Sequence, residues 1–193
     1  MRDLTADPQR AEGPPVVWEG SANARAVVVL DPSGAAKHDE LPATWRSLAE
    51  RQQVVWCRTP ASGSLADADE VLGRLTARDA VVDVVASGPI AENAMALVGQ
   101  HRGHVRSLLL VDPGAEHEHV SSAGARSADA AWTRRVSRRW EDLDADGVRV
   151  RVVAHSEPTE RDRIEPPLPL GHPDVVSAVA DALEALESDP LAR

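Results

Sequence analysis

The chain predicts an α/β protein with a mostly parallel sheet of about five or six strands and helices on both faces. Three observations point there. Apolar runs rich in β-branched residues recur at Ala26–Leu30, Val54–Cys57, Val81–Val85 and Val105–Val111, and Val148–Ala154 alternates Val with Arg before turning apolar. Unbroken apolar runs suit strands covered on both faces. Helix-period stripes lie between these runs, and the strict alternation of the two patterns is the signature of parallel strands joined by right-handed crossovers.

Residues 1–14 are polar, contain Pro and Gly, and read as a loose N-terminal tail. A single domain is expected over 15–187, with a C-terminal tail at 188–193. After Ala26–Leu30, the positions Leu41, Trp45, Leu48 and Gln52 follow roughly helical spacing. Ala68, Val71, Leu72 and Leu75 form a second stripe; Ala91, Ala94, Met95, Leu97 and Val98 form a third. Gly114–Asp129 is rich in Ser, Ala and Gly and reads as a mobile connection. Trp132, Val136, Trp140 and Leu143 then share one helical face. The last helix is opened by Pro173 and Asp174, since proline fits the first helical position and an acid suits the first turn.

The chain has 193 residues, enough to bury a core without disulfides. Its formal net charge of −10 argues against nucleic acid and anionic membrane surfaces as partners. Cys57 is the only cysteine, which excludes a disulfide framework and fits a reducing, cytoplasmic setting. The first residues hold no apolar signal core, and no apolar run reaches the length of a membrane span. Neither GxGxxG after a strand nor GxxxxGK[ST] occurs, so no nucleotide cofactor is called for. Ligands of open parallel sheets bind beyond the carboxyl ends of the strands. The loops that matter therefore begin at Asp31, Arg58, Ala86, Asp112 and His155.

Four stretches resemble the α/β-hydrolase superfamily. Val81–Ile90 runs from a strand through Ser87-Gly88-Pro89 into a helix, and the segment Gln100-His-Arg-Gly-His-Val-Arg-Ser-Leu-Leu-Leu-Val-Asp-Pro113 is similar to the strand that follows the nucleophile elbow in that family. Val55–Ser64 resembles an earlier family loop, and Leu170-Gly-His-Pro-Asp174 resembles the catalytic-histidine turn. The resemblance spans most of 15–187. It implies a compact member, nearly without a lid, since Pro113 to Val148 holds one clear helix.

The implied catalytic signatures are degenerate. The family expects G-x-S-x-G at the elbow. Aligned without a gap, Gly88 takes the serine's place, and Pro89, which has no N–H, takes the place of an oxyanion donor. Losing one such donor costs about 3–4 kcal/mol of transition-state stabilisation. Shifted by one residue, Ser87 stands at the apex and Gly88 supplies the N–H, but Val85 and Pro89 crowd the turn. The loop after Ala26–Leu30 begins Asp31-Pro32, where a carboxylate would repel a developing oxyanion by about 4 kcal/mol at 4 Å and an effective dielectric near 20. Asp31 reads as a cap of its own turn, an anchor for a cationic ligand group, or a partner of His172. The resemblance makes His172 the general base; capping the last helix is the competing role. Glu157 or Asp162 would be the acid.

The expectation is thus an α/β-hydrolase-fold protein with a lapsed or re-purposed site that binds a small molecule above the sheet, near Asp31, Ser87, Gly88 and His172. The enzymatic alternative is a small serine esterase or thioesterase acting on an acyl substrate through Ser87, His172 and Glu157 or Asp162. A third is a non-enzymatic interaction protein, and a homo-oligomer is compatible with all three. No metal is assigned: Glu116-His-Glu-His119 has alternating ligand-type side chains, but short polar runs of this kind are ordinarily solvated. Cys57 reads as a buried structural thiol.

Overall fold

A computed structural model describes residues 14–32, 40–60, 62–115, 122–156 and 166–188. The apolar runs become strands: β1 (Val16–Glu19), β2 (Ala26–Asp31), β3 (Gln53–Arg58), β4 (Val82–Ser87), β5 (Val105–Val111) and β6 (Arg149–Ala154). They form one sheet in the order β1-β3-β2-β4-β5-β6. Every neighbouring pair is parallel except β1 with β3. The edge strand β1 escapes the sequence pattern because it buries only Val17 fully.

Side chains alternate across the pleat and feed two cores. One face carries Val28, Leu30, Val55, Val84, Leu108 and Leu110 against α2 (Ala66–Thr76), α3 (Ala91–Gln100) and α4 (Ser122–Ala145). The other carries Val27, Val29, Val54, Trp56, Val85 and Leu109 against α1 (Arg46–Ala49) and α5 (Pro173–Ser188). The expected helix around Leu41–Gln52 is only a 3₁₀ turn, Ala43–Trp45, running into the single turn of α1. The chain has to enter β3 at Gln53, and Gly20 packs against the carbonyls of Ala49 and Gln52 so closely that a Cβ would sit 2.6 and 2.2 Å from them. Trp45 anchors this layer: its Nε1 donates to the Leu170 carbonyl at 2.7 Å, and its ring meets Trp56 edge-on at 5.3 Å.

Helix α4 corrects the reading of Gly114–Asp129, because the chain is helical from Ser122. Its buried positions continue the same stripe upstream: Ala125 and Asp129 precede Trp132 and Val136 at helical spacing. An aspartate in the stripe breaks the apolar pattern that sequence periodicity detects.

A bulge breaks the β4–β5 register where Val82 pairs with Val105 and Asp83 with Ser107. The extra residue, Arg106, folds its guanidinium onto buried Asp83 through Nε at 3.0 Å and Nη2 at 2.7 Å, and Ser107 Oγ donates to the same carboxylate at 2.6 Å. Among the described residues no helix is long and apolar enough to cross a membrane.

Candidate functional site

The carboxyl ends of the strands stand side by side: Asp31 pairs with Arg58, Ser87 with Val111, and Val111 with Ala154. Strand β4 stays extended through Ser87, at φ −135° and ψ 154°. The chain then reverses at Gly88, whose φ is +51°, and a 3₁₀ turn over Gly88–Ile90 leads into α3. The left-handed conformation thus falls on the glycine, where it costs least. Pro167 and the Ala115 carbonyl roof this turn. A Cβ on Gly88 would stand 2.7 Å from Pro167 Cγ and 3.3 Å from the Ala115 oxygen. Ser87, one residue earlier, is 2% exposed, and its side chain makes no cap to the following turn.

Asp31 is fully buried and accepts a hydrogen bond from Trp56 Nε1 at 3.0 Å. Its carbonyl accepts both the N–H and the hydroxyl of Thr59, at 2.9 and 3.1 Å. His172 stands at the mouth of α5, where its Nδ1 accepts the Asp174 backbone N–H at 3.3 Å. That nitrogen therefore serves as the helix cap in this arrangement, whereas a triad histidine would donate from it to an acid. Glu157 and Asp162 lie outside the described residues, as do His117 and His119.

Among the described residues at this end of the sheet, a polar network centres on Asp112, Asp129 and His155, none of them among the candidate catalytic residues. Asp112, just past β5, is fully buried and holds φ +43°, unusual for a residue with a side chain. Its Oδ1 accepts the Ser156 N–H at 2.7 Å; its Oδ2 accepts the Ser156 hydroxyl at 2.6 Å and the Leu168 N–H at 2.8 Å. Its carbonyl accepts the Ala115 N–H at 3.0 Å. Asp112 therefore bonds to both segments that roof Gly88, to Ala115 through its carbonyl and to Leu168, next to Pro167, through its carboxylate.

Beside it, Asp129 of α4 takes the Gly114 N–H on Oδ1 at 2.7 Å and His155 Nδ1 on Oδ2 at 2.5 Å. Burial pushes the Asp129 carboxyl pKa up, the bonds from Gly114 and His155 pull it back, and the charge of Asp112 raises it further. Gly114 is obligatory here, because a Cβ would lie 2.3 Å from the Ala128 carbonyl carbon. The available signal was positional. Asp112 and His155 open two of the strand-end loops, and Asp129 sits in register with the buried stripe of α4.

A mostly parallel sheet ordered β1-β3-β2-β4-β5-β6, an antiparallel first strand and a sharp left-handed turn from β4 into α3 belong to one architecture. The fold is α/β-hydrolase-like.

No protein-family model matches the sequence, and no curated protein does. Among solved structures, the chain is similar to a carboxylesterase of the ammonia-oxidizing thaumarchaeon Nitrososphaera gargenis, with a TM-score of 0.43 and 12% identity over 89% of this chain and 92% of that one. It is similar to Aspergillus fumigatus lipase B (TM-score 0.38, 14% identity, 55% of this chain), of which it spans 31% of the length. It is also similar to the enol-lactonase of Burkholderia xenovorans LB400 (TM-score 0.34, 14% identity, 88% of this chain and 69% of that one). The fold assignment rests on the strand order and on the turn at Gly88.

The left-handed residue of the β4–α3 turn, Gly88, carries no hydroxyl or thiol, and the next residue, Pro89, has no N–H. At the end of β6, the His155 side chain is 27% exposed and its ring is oriented by Asp129.

Proposed function

We propose that this α/β-hydrolase-fold protein has lost esterase chemistry and uses the carboxyl end of its sheet to bind a small molecule. The observation that carries the reading is the conformation of Gly88. The turn that would present a nucleophile is occupied by a glycine at φ +51°, with Pro167 where a side chain would begin. Ser87 points from an extended, buried strand end, and His172 Nδ1 is engaged by the start of α5. The binding reading draws on the general placement of ligands at the carboxyl ends of parallel strands. A cytoplasmic setting is part of the same proposal, supported by the single buried thiol.

Fluorophosphonate labelling of the native chain and of Ser87→Ala tests the loss of chemistry. Neither protein is expected to label. Labelling of the native chain that disappears in Ser87→Ala would instead establish a serine hydrolase. Small-molecule binding is read separately, as a rise in melting temperature on adding candidate metabolites.

A further inference from the structure

Two buried carboxylates and one imidazole converge from three separate elements: Asp112 past β5, Asp129 on α4 and His155 past β6. One ligand-type atom from each lies within 4.8 Å of the other two. Asp112 is fully buried and Asp129 is 2% exposed, while the His155 side chain leaves an approach from solvent. Among the described residues the ion pair recorded for these carboxylates is that of Asp129 with His155, whose ring carries charge only when protonated. Two buried carboxylates around one imidazole form a cluster whose negative charge a bound cation would offset.

We infer that Asp112, Asp129 and His155 form a binding site for one divalent first-row transition ion. Carboxylate oxygens and an imidazole nitrogen are a donor set that zinc, manganese, iron and cobalt accept. The ion takes the place of the hydrogen between His155 Nδ1 and Asp129 Oδ2: a neutral ring moves that hydrogen to Nε2 and a charged ring releases it to solvent, and Nδ1 and Oδ2 each donate a lone pair to the ion. Asp112 Oδ1 accepts one N–H and retains a lone pair for the third bond. Bonds of about 2.0–2.2 Å place donors about 3–4 Å apart, so a pair at the 4.8 Å limit draws in by about 1–2 Å and the His155–Asp129 pair, now at 2.5 Å, opens by about 0.5–1.5 Å. The N–H groups of Ser156 and Gly114 remain on the carboxylates and hold them in orientation. Further coordination positions open toward solvent past His155 and would take water or a ligand.

The test uses the full chain, freed of metal, with Zn²⁺ alone followed by calorimetry and Co²⁺ alone followed by visible absorption. Asp129→Asn preserves the side-chain shape and can still accept from Gly114; His155→Gln removes the nitrogen ligand. A His117→Ala/His119→Ala double variant removes the histidines of the Glu116–His119 run. Melting temperature in chelator shows which variants fold. We expect one Zn²⁺ per chain, affinity reduced tenfold or more in Asp129→Asn and His155→Gln, and unchanged affinity in the double variant. Should a variant fail to fold, broadening of amide signals by Co²⁺ in the native protein decides, with Gly114 and Ser156 expected to be hit first. Absence of saturable Zn²⁺ binding, binding indifferent to Asp129 and His155, or broadening centred elsewhere overturns the inference. None of these readouts depends on the fluorophosphonate result.

Discussion

The most consequential residue is Gly88. Local sequence around Ala86-Ser-Gly-Pro89 admits two registers of the turn, because serine and glycine are adjacent and each could stand at its apex. Only the path of the backbone assigns φ +51° to Gly88. A serine installed there meets two penalties: left-handed backbone costs a non-glycine residue about 1–2 kcal/mol, and Pro167 lies within contact range. Gly88→Ser is therefore expected to lower the unfolding free energy by about 2–4 kcal/mol in urea titrations, and to gain no fluorophosphonate labelling. Labelling without loss of stability would show that the roof over the turn yields easily. Cys57 makes the opposite kind of residue-scale prediction. Burial, with a smaller contribution from Asp67, pushes its thiol up to about 12. The raised value keeps the native thiol protonated throughout the neutral range, so a disulfide reagent should react slowly from pH 7 to 9. Reaction should become fast once guanidinium unfolds the chain. Fast native reaction at pH 8 would contradict the burial.

At the scale of elements, five of the six strands were legible, while the edge strand β1 and the first turns of α4 were not. Strands β2, β4 and β5 are buried on both faces, so their apolar runs stand out without reference to neighbours. Helix α4 is different, since its first turns carry Asp129 at a buried position and are tied down by Gly114 and His155 rather than by apolar packing. Gly114→Ala would drive a methyl into the backbone of Ala128, and we expect a loss of about 3–4 kcal/mol measured by chemical denaturation. The β4–β5 bulge carries a second element-scale prediction. Asp83→Ala strands a buried Arg106 without its carboxylate and should cost about 3–5 kcal/mol, while replacing both residues together should recover part of that loss. A double variant no more stable than Asp83→Ala would mean that the pair acts through something other than charge compensation.

At the scale of the whole molecule, the sheet separates two apolar layers and leaves its polar groups at the strand ends. Hydrogen exchange should follow this order. Amides of β2, β4 and β5, sandwiched on both faces, are expected to be the slowest, and those of the edge strand β1 among the fastest in the sheet. Uniform protection across all six strands would contradict it. The α/β class and the mostly parallel sheet were determined by the sequence itself, because apolar periodicity is local and survives without knowledge of neighbours. Tertiary structure decided which residue takes the left-handed turn, and it brought Asp112, Asp129 and His155 together from three distant segments. Such convergence depends on strand register and on the seating of α4, which are set by contacts between residues far apart in the chain. No local pattern encodes either.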